Sequence, residues 1–332
     1  MNRNIVIISS VVIASLVGIG VFAFEYMFQE ASQKEINLIM NVWPGYAHAI
    51  IADERGFFED NGVQVNLKVV KEYPDMINLF LDGGYDGFFG VYSDVILLNS
   101  KGTPLKVVYV ADYSSGGDVV VSEPDIATVA DLKGKTVGIE ELNSFSHVFL
   151  LDLLKRNGLT ESDVTMVEVP AHQVLDALDS GIIDAGHTWE PTQSEALAKG
   201  YKLLATSADT PGIITDVLAF KKSVVEERSE DVRKVVASLE KARIFVETDR
   251  NAAFAIMSER LEVSPGELKD GLEGTNQLDL EGNKAAFTPS KEIISLYGSG
   301  EFILSIFEKN GIITEHVDIE EILAPEIVDG IK

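Results

Sequence analysis

Aromatic and acidic side chains follow the predicted strands of this chain at several places. Trp43 and Tyr46 come directly after the first apolar strand, and Trp189 and Glu190 come after a later one. Aromatic rings at the end of a strand can stack on a planar or apolar ligand. A carboxylate there can pair with a cation or a hydrogen-bond donor. The alternatives are packing within the fold for the aromatic rings, and capping of the helix at Pro191 for Glu190.

A second group of polar side chains lies in or beside two segments rich in Gly, Ser and Asp, residues 112–118 and 207–215. This composition suits a hinge, which alone would explain the serines. A cleft that closes at a hinge removes nearby carboxylates from water, and each then needs a cation, a donor or a water molecule. The candidate ligand contacts in this group are Asp112, Ser114, Ser115, Asp118 and Asp216.

Serines also stand where helices are predicted to begin. One such place follows the strand that ends near Gly90, with Ser93 as the expected N-cap, and the other is residues 143–147. Free N–H groups at a helix start, together with a hydroxyl, can hold an anionic or carbonyl group. Serine is equally common as a plain N-cap, so both interpretations stay open. The candidates are Tyr92, Ser93, Ser144, Ser146 and His147.

The acidic residues predicted near the cleft are numerous, whereas Lys and Arg are nearly absent from the same segments. These acidic residues favour a ligand with a cationic or amidine-like part, such as a guanidine-type compound, an amino-sulfonate or a pyrimidine amine. The alternative is that the acids serve hinges and caps, because the chain has 53 Asp and Glu against 27 Lys and Arg, a net charge of −26. The acids concerned are Asp112, Asp118, Glu140, Glu190 and Asp216.

The composition excludes several functions. A net charge of −26 repels phosphate backbones, so no nucleic acid partner is expected. The chain has no Cys, and its five His lack metal-ligand spacing, so no metal or other cofactor is predicted. Motifs for a nucleophile elbow, a phosphate-binding loop or a zinc protease are also missing from the sequence. We therefore predict a binding protein, with an enzyme that uses cleft carboxylates as the alternative.

Predicted strands and helices alternate from Ile36–Asn41 to Asp216–Phe220, and only helices are expected after that. Such alternation is typical of mostly parallel sheets covered by helices. The expected architecture is α/β with two lobes, two chain crossings and a cleft between the lobes. The predicted boundaries are 36–111 for the first part of lobe 1, 112–118 for a crossing, 119–206 for lobe 2, 207–215 for the second crossing and 216–332 for the rest of lobe 1.

The N-terminal region predicts location. Residues 5–24 carry no charge and follow Arg3, and a helix of this length spans about 30 Å, enough to cross a bilayer. The positive-inside rule places residues 1–4 in the cytoplasm and the chain after a tether at 25–35 outside. The prediction is an extracytoplasmic protein anchored to the cell membrane. A cleaved signal, with Val21-Phe22-Ala23 at its end, is the alternative.

An ordered set of five segments carries a family resemblance over essentially Ile36 to Lys332. They are residues 41–46 (NVWPGY), 52–63 (ADERGFFEDNGV), 131–138 (DLKGKTVG), 180–191 with SGIIDA and WEP, and 210–218 with TPG and DVL. Together they resemble the nitrate/sulfonate/taurine class (NitT/TauT, SsuA/THI5-like) of ABC-importer solute-binding proteins.

The resemblance implies a type II periplasmic-binding-protein fold with a helical C-terminal part. It also implies a monomeric receptor that delivers a small nitrogen- or sulfonate-containing ligand to an ABC permease and its ATPase. The alternatives are a pyrimidine-related enzyme like THI5 and a ligand-binding sensor or scaffold domain. The yeast-type pyrimidine synthases need a cysteine-rich motif, and this chain has no Cys.

Overall fold

The computed structural model describes residues 34–313 and 315–331. The predicted anchor at 5–24, its stub at 1–4 and most of the tether therefore lie outside the described residues. Within the described ranges, none of the helices combines the length and the apolar character that a membrane crossing requires.

Eleven strands are present in the described chain, and they form two sheets. The first strand has the predicted bounds, and the strand predicted at Asp216–Phe220 is one residue longer at each end. The strands are β1 (Ile36–Asn41), β2 (Val65–Val70), β3 (Gly87–Val91), β4 (Leu105–Ser114), β5 (Val119–Ser122), β6 (Thr136–Ile139), β7 (Thr165–Glu168), β8 (Ala185–Thr188), β9 (Lys202–Thr206), β10 (Thr215–Lys221) and β11 (Thr275–Gln277).

The helices cover the faces of these sheets. Those of the described chain are α1 (Ala47–Glu54), α2 (Phe57–Asp60), α3 (Tyr73–Leu81), α4 (Tyr92–Ser100), α5 (Phe145–Arg156), α6 (Val174–Asp179), α7 (Thr192–Lys199), α8 (Lys222–Glu227), α9 (Ser229–Thr248), α10 (Arg250–Leu261), α11 (Pro265–Glu273), α12 (Leu280–Ala286), α13 (Leu296–Lys309) and α14 (Pro325–Asp329). The longest, α9, buries Val232, Val235, Val236 and Leu239, a spacing that lines one face of a helix.

The order of strands explains why two strand edges face each other. The first sheet has the order β11-β4-β10-β3-β1-β2 and the second β7-β6-β8-β5-β9. β5 runs antiparallel to β8 and β9, and β10 runs antiparallel to β3 and β4. Each of these strands is the first that the chain forms after leaving the other sheet. β10 therefore starts beside the carboxyl ends of β3 and β4, and β5 starts beside the carboxyl ends of β8 and β9. The carboxyl edges of the two sheets lie opposite one another.

The chain passes from the first sheet to the second through residues 115–118 and returns through 207–214. The first passage is shorter than the predicted 112–118, because Asp112 to Ser114 pair with β10 and β11 and belong to β4. Serine hydroxyls tie the passages together: Ser207 Oγ lies 2.8 Å from Ser114 Oγ and accepts from the Gly116 N–H at 2.7 Å. Hinge motion at these passages stays a prediction.

Two other expectations were wrong. The region after β10 is not purely helical, because Thr275–Gln277 adds β11 to the edge of the first sheet beside β4. Ser93 is not the N-cap of its helix, because α4 already begins at Tyr92 and Val91 occupies the cap position. Ser93 lies in the first turn and is fully buried.

Candidate functional site

A small cavity of about 20 Å³ lies between the facing carboxyl edges of the two sheets. The first sheet and its connections supply most of its wall, and the second sheet supplies the rest through residues next to β5, α5 and β8. Neither Lys nor Arg is among the described residues that line it. The lining residues are Asn41, Trp43, Tyr46, Tyr73, Val91, Asp118, Phe145, Trp189, Ile214 and Asp216.

Two carboxylates face each other across neighbouring strands at this edge. Asp216 on β10 pairs in register with Asp112 on β4, which places both side chains on one face of the sheet. Both residues are buried, with 2% and 0% of their surface exposed. Like charges directly opposite each other are destabilising, and burial adds the cost of losing hydration. This position therefore favours either a proton or a cationic partner.

The pKa values of Asp112 and Asp216 reflect this burial and repulsion. Burial raises the pKa of Asp112 to about 8, and the neighbouring charge of Asp118 adds to that rise. Burial also raises the pKa of Asp216 well above its ordinary value, with repulsion from Asp112 as the next cause. Hydrogen bonds from Trp43 and Tyr46 oppose these rises without cancelling them. The free site therefore holds at least one of the two carboxyl groups in its protonated form at neutral pH.

Each of these carboxylates has only one oxygen occupied by a protein donor. Trp43 Nε1 donates to Asp112 Oδ2 at 3.2 Å, and the Tyr46 hydroxyl donates to Asp216 Oδ1. No described group hydrogen-bonds to the buried Asp112 Oδ1, Asp216 Oδ2 or the Asn41 side-chain oxygen. Buried polar atoms are almost always paired in proteins. These three oxygens can accept hydrogen bonds from a ligand. The buried Nδ1 of His187, whose ring contacts Phe145 and Trp189, is also without a described hydrogen-bond partner.

Asp118 occupies the opposite wall and has a partner of its own. His187 Nε2 on β8 lies 2.9 Å from Asp118 Oδ1, and both side chains are buried. The backbone N–H of Asp118 donates to Ser114 Oγ at 3.1 Å, and its carbonyl accepts from the Ser207 N–H at 2.8 Å. The bonds that join the two passages therefore also position this carboxylate.

Aromatic rings from both sheets enclose the cavity. Trp43 and Trp189 meet edge to face across it, with ring centroids 6.4 Å apart and planes at 88°. Phe145 lies 6.3 Å from the Trp189 ring and 5.2 Å from the Tyr73 ring. The chain contains two tryptophans, so its whole indole content lies at this site.

Gly45 allows Asp112 to approach the Trp43 loop. A Cβ on Gly45 would lie 1.7 Å from Asp112 Oδ2 and 2.8 Å from Trp43 Nε1. Any other residue would therefore displace the carboxylate from the indole. The predicted loop at 43–46 and the predicted acid at 112 thus form one unit.

Glu190, a predicted ligand contact, is turned toward its own helix. Its two carboxylate oxygens accept from the Ser194 N–H at 3.1 Å and the Ser194 hydroxyl at 2.9 Å. This is the capping interaction that the sequence also allowed, because carboxylates near a helix N-terminus offset its free N–H groups. The structure does not place Glu190 in the wall of the cavity.

The serines and histidine at the start of α5 are engaged in the local turn. Ser146 Oγ accepts from the Glu140 N–H at 3.0 Å, and Ser144 Oγ donates to the Glu141 carbonyl at 2.8 Å. His147 Nδ1 accepts from the Asn143 N–H at 3.1 Å. None of Ser144, Ser146 and His147 lines the cavity, although Phe145 between them does.

Four further predicted contacts lie outside the cavity wall. One of them, Ser114, is bonded to the Ser207 hydroxyl and accepts from the Asp118 N–H. The Tyr92 hydroxyl donates to the Leu296 carbonyl at 3.1 Å inside the core, and the neighbouring Ser93 is buried with it. Ser115 is exposed on the first passage between the sheets. Of the predicted contacts, the structure brings together Trp43, Tyr46, Asp118, Trp189 and Asp216 in the wall, with Asp112 directly behind it.

Several site residues were not predicted from the sequence. Tyr73 donates to Asp94 Oδ2 at 2.7 Å, and burial raises the pKa of Asp94 to about 7. His187 was considered only as a metal ligand, and its contact with Asp118 was missed. Asn41 could have been found, because a polar residue that ends an apolar strand stands at the edge where ligands bind. The others depend on contacts distant in sequence.

A metal is not suggested by the side chains of residues 34–313 and 315–331, where no group of three or more His, Asp and Glu side chains is arranged to hold an ion. The wall of the cavity carries aromatic rings on its sides and hydrogen-bond acceptors at one end.

This chain is similar to a known protein family and to a relative named as a binding protein. The model of the NMT1/THI5 like family matches residues 43–253. A protein of Brucella abortus (strain 2308) named as a binding protein is 27% identical over 240 residues, which cover 70% of this chain and 73% of the relative.

Two solved structures share the fold. The periplasmic aliphatic sulphonate binding protein SsuA from Escherichia coli has a TM-score of 0.72 at 19% identity, with 90% of this chain and 100% of that chain covered. The ligand-binding component of an ABC-type import system from Staphylococcus aureus has a TM-score of 0.73 at 17% identity, with 90% and 99% covered. The chain thus has the two-sheet α/β fold of the periplasmic binding proteins.

Proposed function

Because this chain belongs to the NMT1/THI5 like family, we propose that it is the solute-binding receptor of an ABC importer. It binds a small polar organic ligand in the cavity between its two lobes and delivers that ligand to a permease driven by a separate ATPase. The relatives named as binding proteins and the import component from Staphylococcus aureus support this role.

The observation that carries the proposal is the cavity itself. It lies where the carboxyl edges of the two sheets meet, its wall includes the Trp43 and Trp189 rings, and unpaired buried oxygens border it. A site of this kind can enclose a small ligand when the lobes close. Residues 115–118 and 207–214 are the segments about which we propose that closure occurs.

The location proposed is extracytoplasmic, as for the periplasmic SsuA of Escherichia coli. The uncharged run at 5–24 would anchor the receptor to the cell membrane, and the chain would act as a monomer. N-terminal sequencing of the protein purified from membranes tests the anchor. Recovery of a chain that begins after residue 23 would show instead that the segment is a cleaved signal.

We propose that the protein does not transform its ligand. Among the described residues that line the cavity, no Ser, Thr, Cys or Lys supplies a nucleophile, and the buried imidazole of His187 is bonded to Asp118 rather than to a hydroxyl or an amine. After incubation, mass spectrometry should recover a bound ligand unchanged. Conversion of the ligand would favour the enzyme alternative.

Intrinsic fluorescence tests the receptor role directly, because both tryptophans lie at the cavity. The full chain in a non-ionic detergent should show saturable fluorescence changes with a ligand of micromolar affinity. The same ligand at 100 times its dissociation constant should add about 2.7 kcal/mol to stability. Replacing Trp189 with Phe should remove most of the signal. A ligand that stabilises the protein without altering fluorescence would place binding elsewhere.

A further inference from the structure

We propose that the ligand of this cavity is an organic cation with several N–H donors, held by Asp216 and Asp112 and covered by the Trp43 and Trp189 rings. This inference rests on the proposed receptor function and specifies its substrate class. Amidinium, guanidinium and protonated amino-heterocycles have the required chemistry. The relative SsuA is named for binding an aliphatic sulphonate, which has the opposite charge.

The first argument is the kind of hydrogen bond that remains to be made. Asp112 Oδ1, Asp216 Oδ2 and the Asn41 side-chain oxygen are buried without a described partner. The nearby donors, Trp43 Nε1 and the Tyr46 hydroxyl, already donate to the same two carboxylates. Asn41 and Asp216 therefore offer acceptors in the cavity wall and Asp112 offers one directly behind it, whereas the Trp43 and Tyr46 donors are already engaged. A ligand rich in N–H groups would satisfy these oxygens.

The second argument is charge. Asp112 and Asp216 stand opposite each other on adjacent strands, and Asp118 lies across the cavity with its Oδ1 bonded to the His187 imidazole. The described residues that line the cavity include no Lys or Arg to neutralise them. A planar cation with two parallel N–H groups, such as an amidinium or a guanidinium, could donate two hydrogen bonds to one carboxylate. It would supply the positive charge that the protein itself omits.

The third argument is the aromatic wall. The faces of Trp and Tyr rings attract cations, most strongly where water is excluded. Trp43 is 7% exposed and Tyr46 is 1% exposed, so these rings are largely dry. In this structure the cavity of about 20 Å³ has room for about one water molecule, so we expect a ligand the size of a substituted amidine to enter when the lobes open.

A competing possibility sharpens the test. Protonated carboxyl groups can donate hydrogen bonds, so an anion could bind if Asp112 and Asp216 keep their protons. The two cases differ in proton linkage: a cation would displace protons and bind more tightly as pH rises, whereas an anion would bind more tightly as pH falls. The titratable groups that face Asp216 are Asp112 on β4, Asp118 before β5, Asp94 on α4, Tyr46 and Tyr73, with His187 bonded to Asp118.

The experiment is calorimetric titration of the full chain with benzamidinium and methylguanidinium as cationic probes, and with ethanesulfonate and taurine as comparison probes. Each titration is run at pH 6.5 in two buffers of different ionisation enthalpy, which reports proton exchange. We expect the cationic probes to bind with proton release and to bind at least tenfold more tightly at pH 8 than at pH 6.

Variants identify the residues. Asp216→Asn and Asp112→Asn should each weaken the cationic probes at least tenfold, whereas Asp270→Asn, an exposed carboxylate on α11, should leave their affinity within twofold. If one variant fails to fold, the other carries the test.

Binding of the anionic probe alone, with proton uptake, would overturn the cationic class and leave the receptor function intact. A further outcome is that the protein binds neither the cationic nor the comparison probes, while its native mass shows no retained small molecule. That result would count against both the cationic ligand class and the receptor function. Cation binding that is unchanged in both cavity variants would overturn the assigned site.

Discussion

The substitution Asp112→Asn should stabilise the ligand-free protein at pH 8. In the folded protein burial raises the pKa of Asp112 from 3.8 to about 8. A carboxyl group with a raised pKa destabilises the fold progressively as pH rises from its unfolded value toward its folded one. Each tenfold change in an acid dissociation constant corresponds to about 1.36 kcal/mol. The rise of the Asp112 pKa from 3.8 to about 8 would therefore lower the free energy of unfolding by about 6 kcal/mol at pH 8.

The measurable gain will be smaller, because Asp112 shares its electrostatic cost with Asp216 and Asp118. Removing one charge of the group lowers the pKa of the others, so we expect a gain of about 2–4 kcal/mol. The amide of Asn keeps an oxygen for Trp43 Nε1 and adds an N–H donor, so its packing cost is small. At pH 3 and below the two proteins should differ by less than about 1 kcal/mol, since Asp112 is then mostly protonated in both the folded and the unfolded state.

The assay is urea unfolding, followed by tryptophan fluorescence, of protein refolded from urea to remove any retained ligand. Wild-type stability should fall between pH 4 and pH 8, and the variant should show a flatter profile. Asp270→Asn, which changes an exposed carboxylate, serves as the matched control and should follow the wild-type profile. Equal stability of Asp112→Asn and wild type at pH 8 would refute the reasoning, because it would mean that the buried charge carries no cost.

The remaining predictions concern the passages, the helix cap and the Asp118 wall. Gly274→Ala should destabilise the fold by about 1–3 kcal/mol in urea unfolding, because its Cβ would lie 2.5 Å from the Gly117 Cα. Gly266→Ala on α11, whose Cβ would meet Ser264 Oγ at an ordinary contact distance of 3.8 Å, should be neutral or stabilising. A neutral result at Gly274 would show that the first passage has room to move. Glu190→Gln should lower the free energy of unfolding by about 0.5–1 kcal/mol, because an amide bonds more weakly to Ser194. Ligand affinity should stay within twofold of wild type, and a tenfold loss in titration would instead place Glu190 in the site. His187→Phe should destabilise the protein by about 1–3 kcal/mol in urea unfolding at pH 7, because the buried Asp118 Oδ1 loses its imidazole partner. A stability equal to wild type would show that water replaces the imidazole.

The local pattern of the chain predicted much of the fold. The apolar run at 36–41 became β1 with the same bounds, and the alternation that follows became two sheets with helices on their faces. The predicted aromatic and acidic positions at 43, 46, 118, 189 and 216 line the cavity, because residues just after or at the carboxyl edge of strands are carried to one place by the sheet itself.

Serine and glutamate at helix starts were the least predictable positions. Their side chains can cap a helix or contact a ligand, and both uses need the same residue at the same place. Ser144, Ser146 and Glu190 proved to be bonded within their own turns. The N-terminal run at 5–24 stays a prediction, since it lies outside the described residues.

The sequence alone thus determined the class of fold, the order of its elements and the acidic, aromatic character of the strand ends, since these depend on hydrophobic periodicity and on residues near in the chain. Only the tertiary structure decided that Asp112 and Asp216 stand opposite each other, that His187 partners Asp118 and that Tyr73 partners Asp94. These contacts join residues distant in sequence, and strand register and the crossing of the chain between sheets bring them together. The same contacts give the carboxylates their burial and unpaired oxygens, which no local pattern encodes.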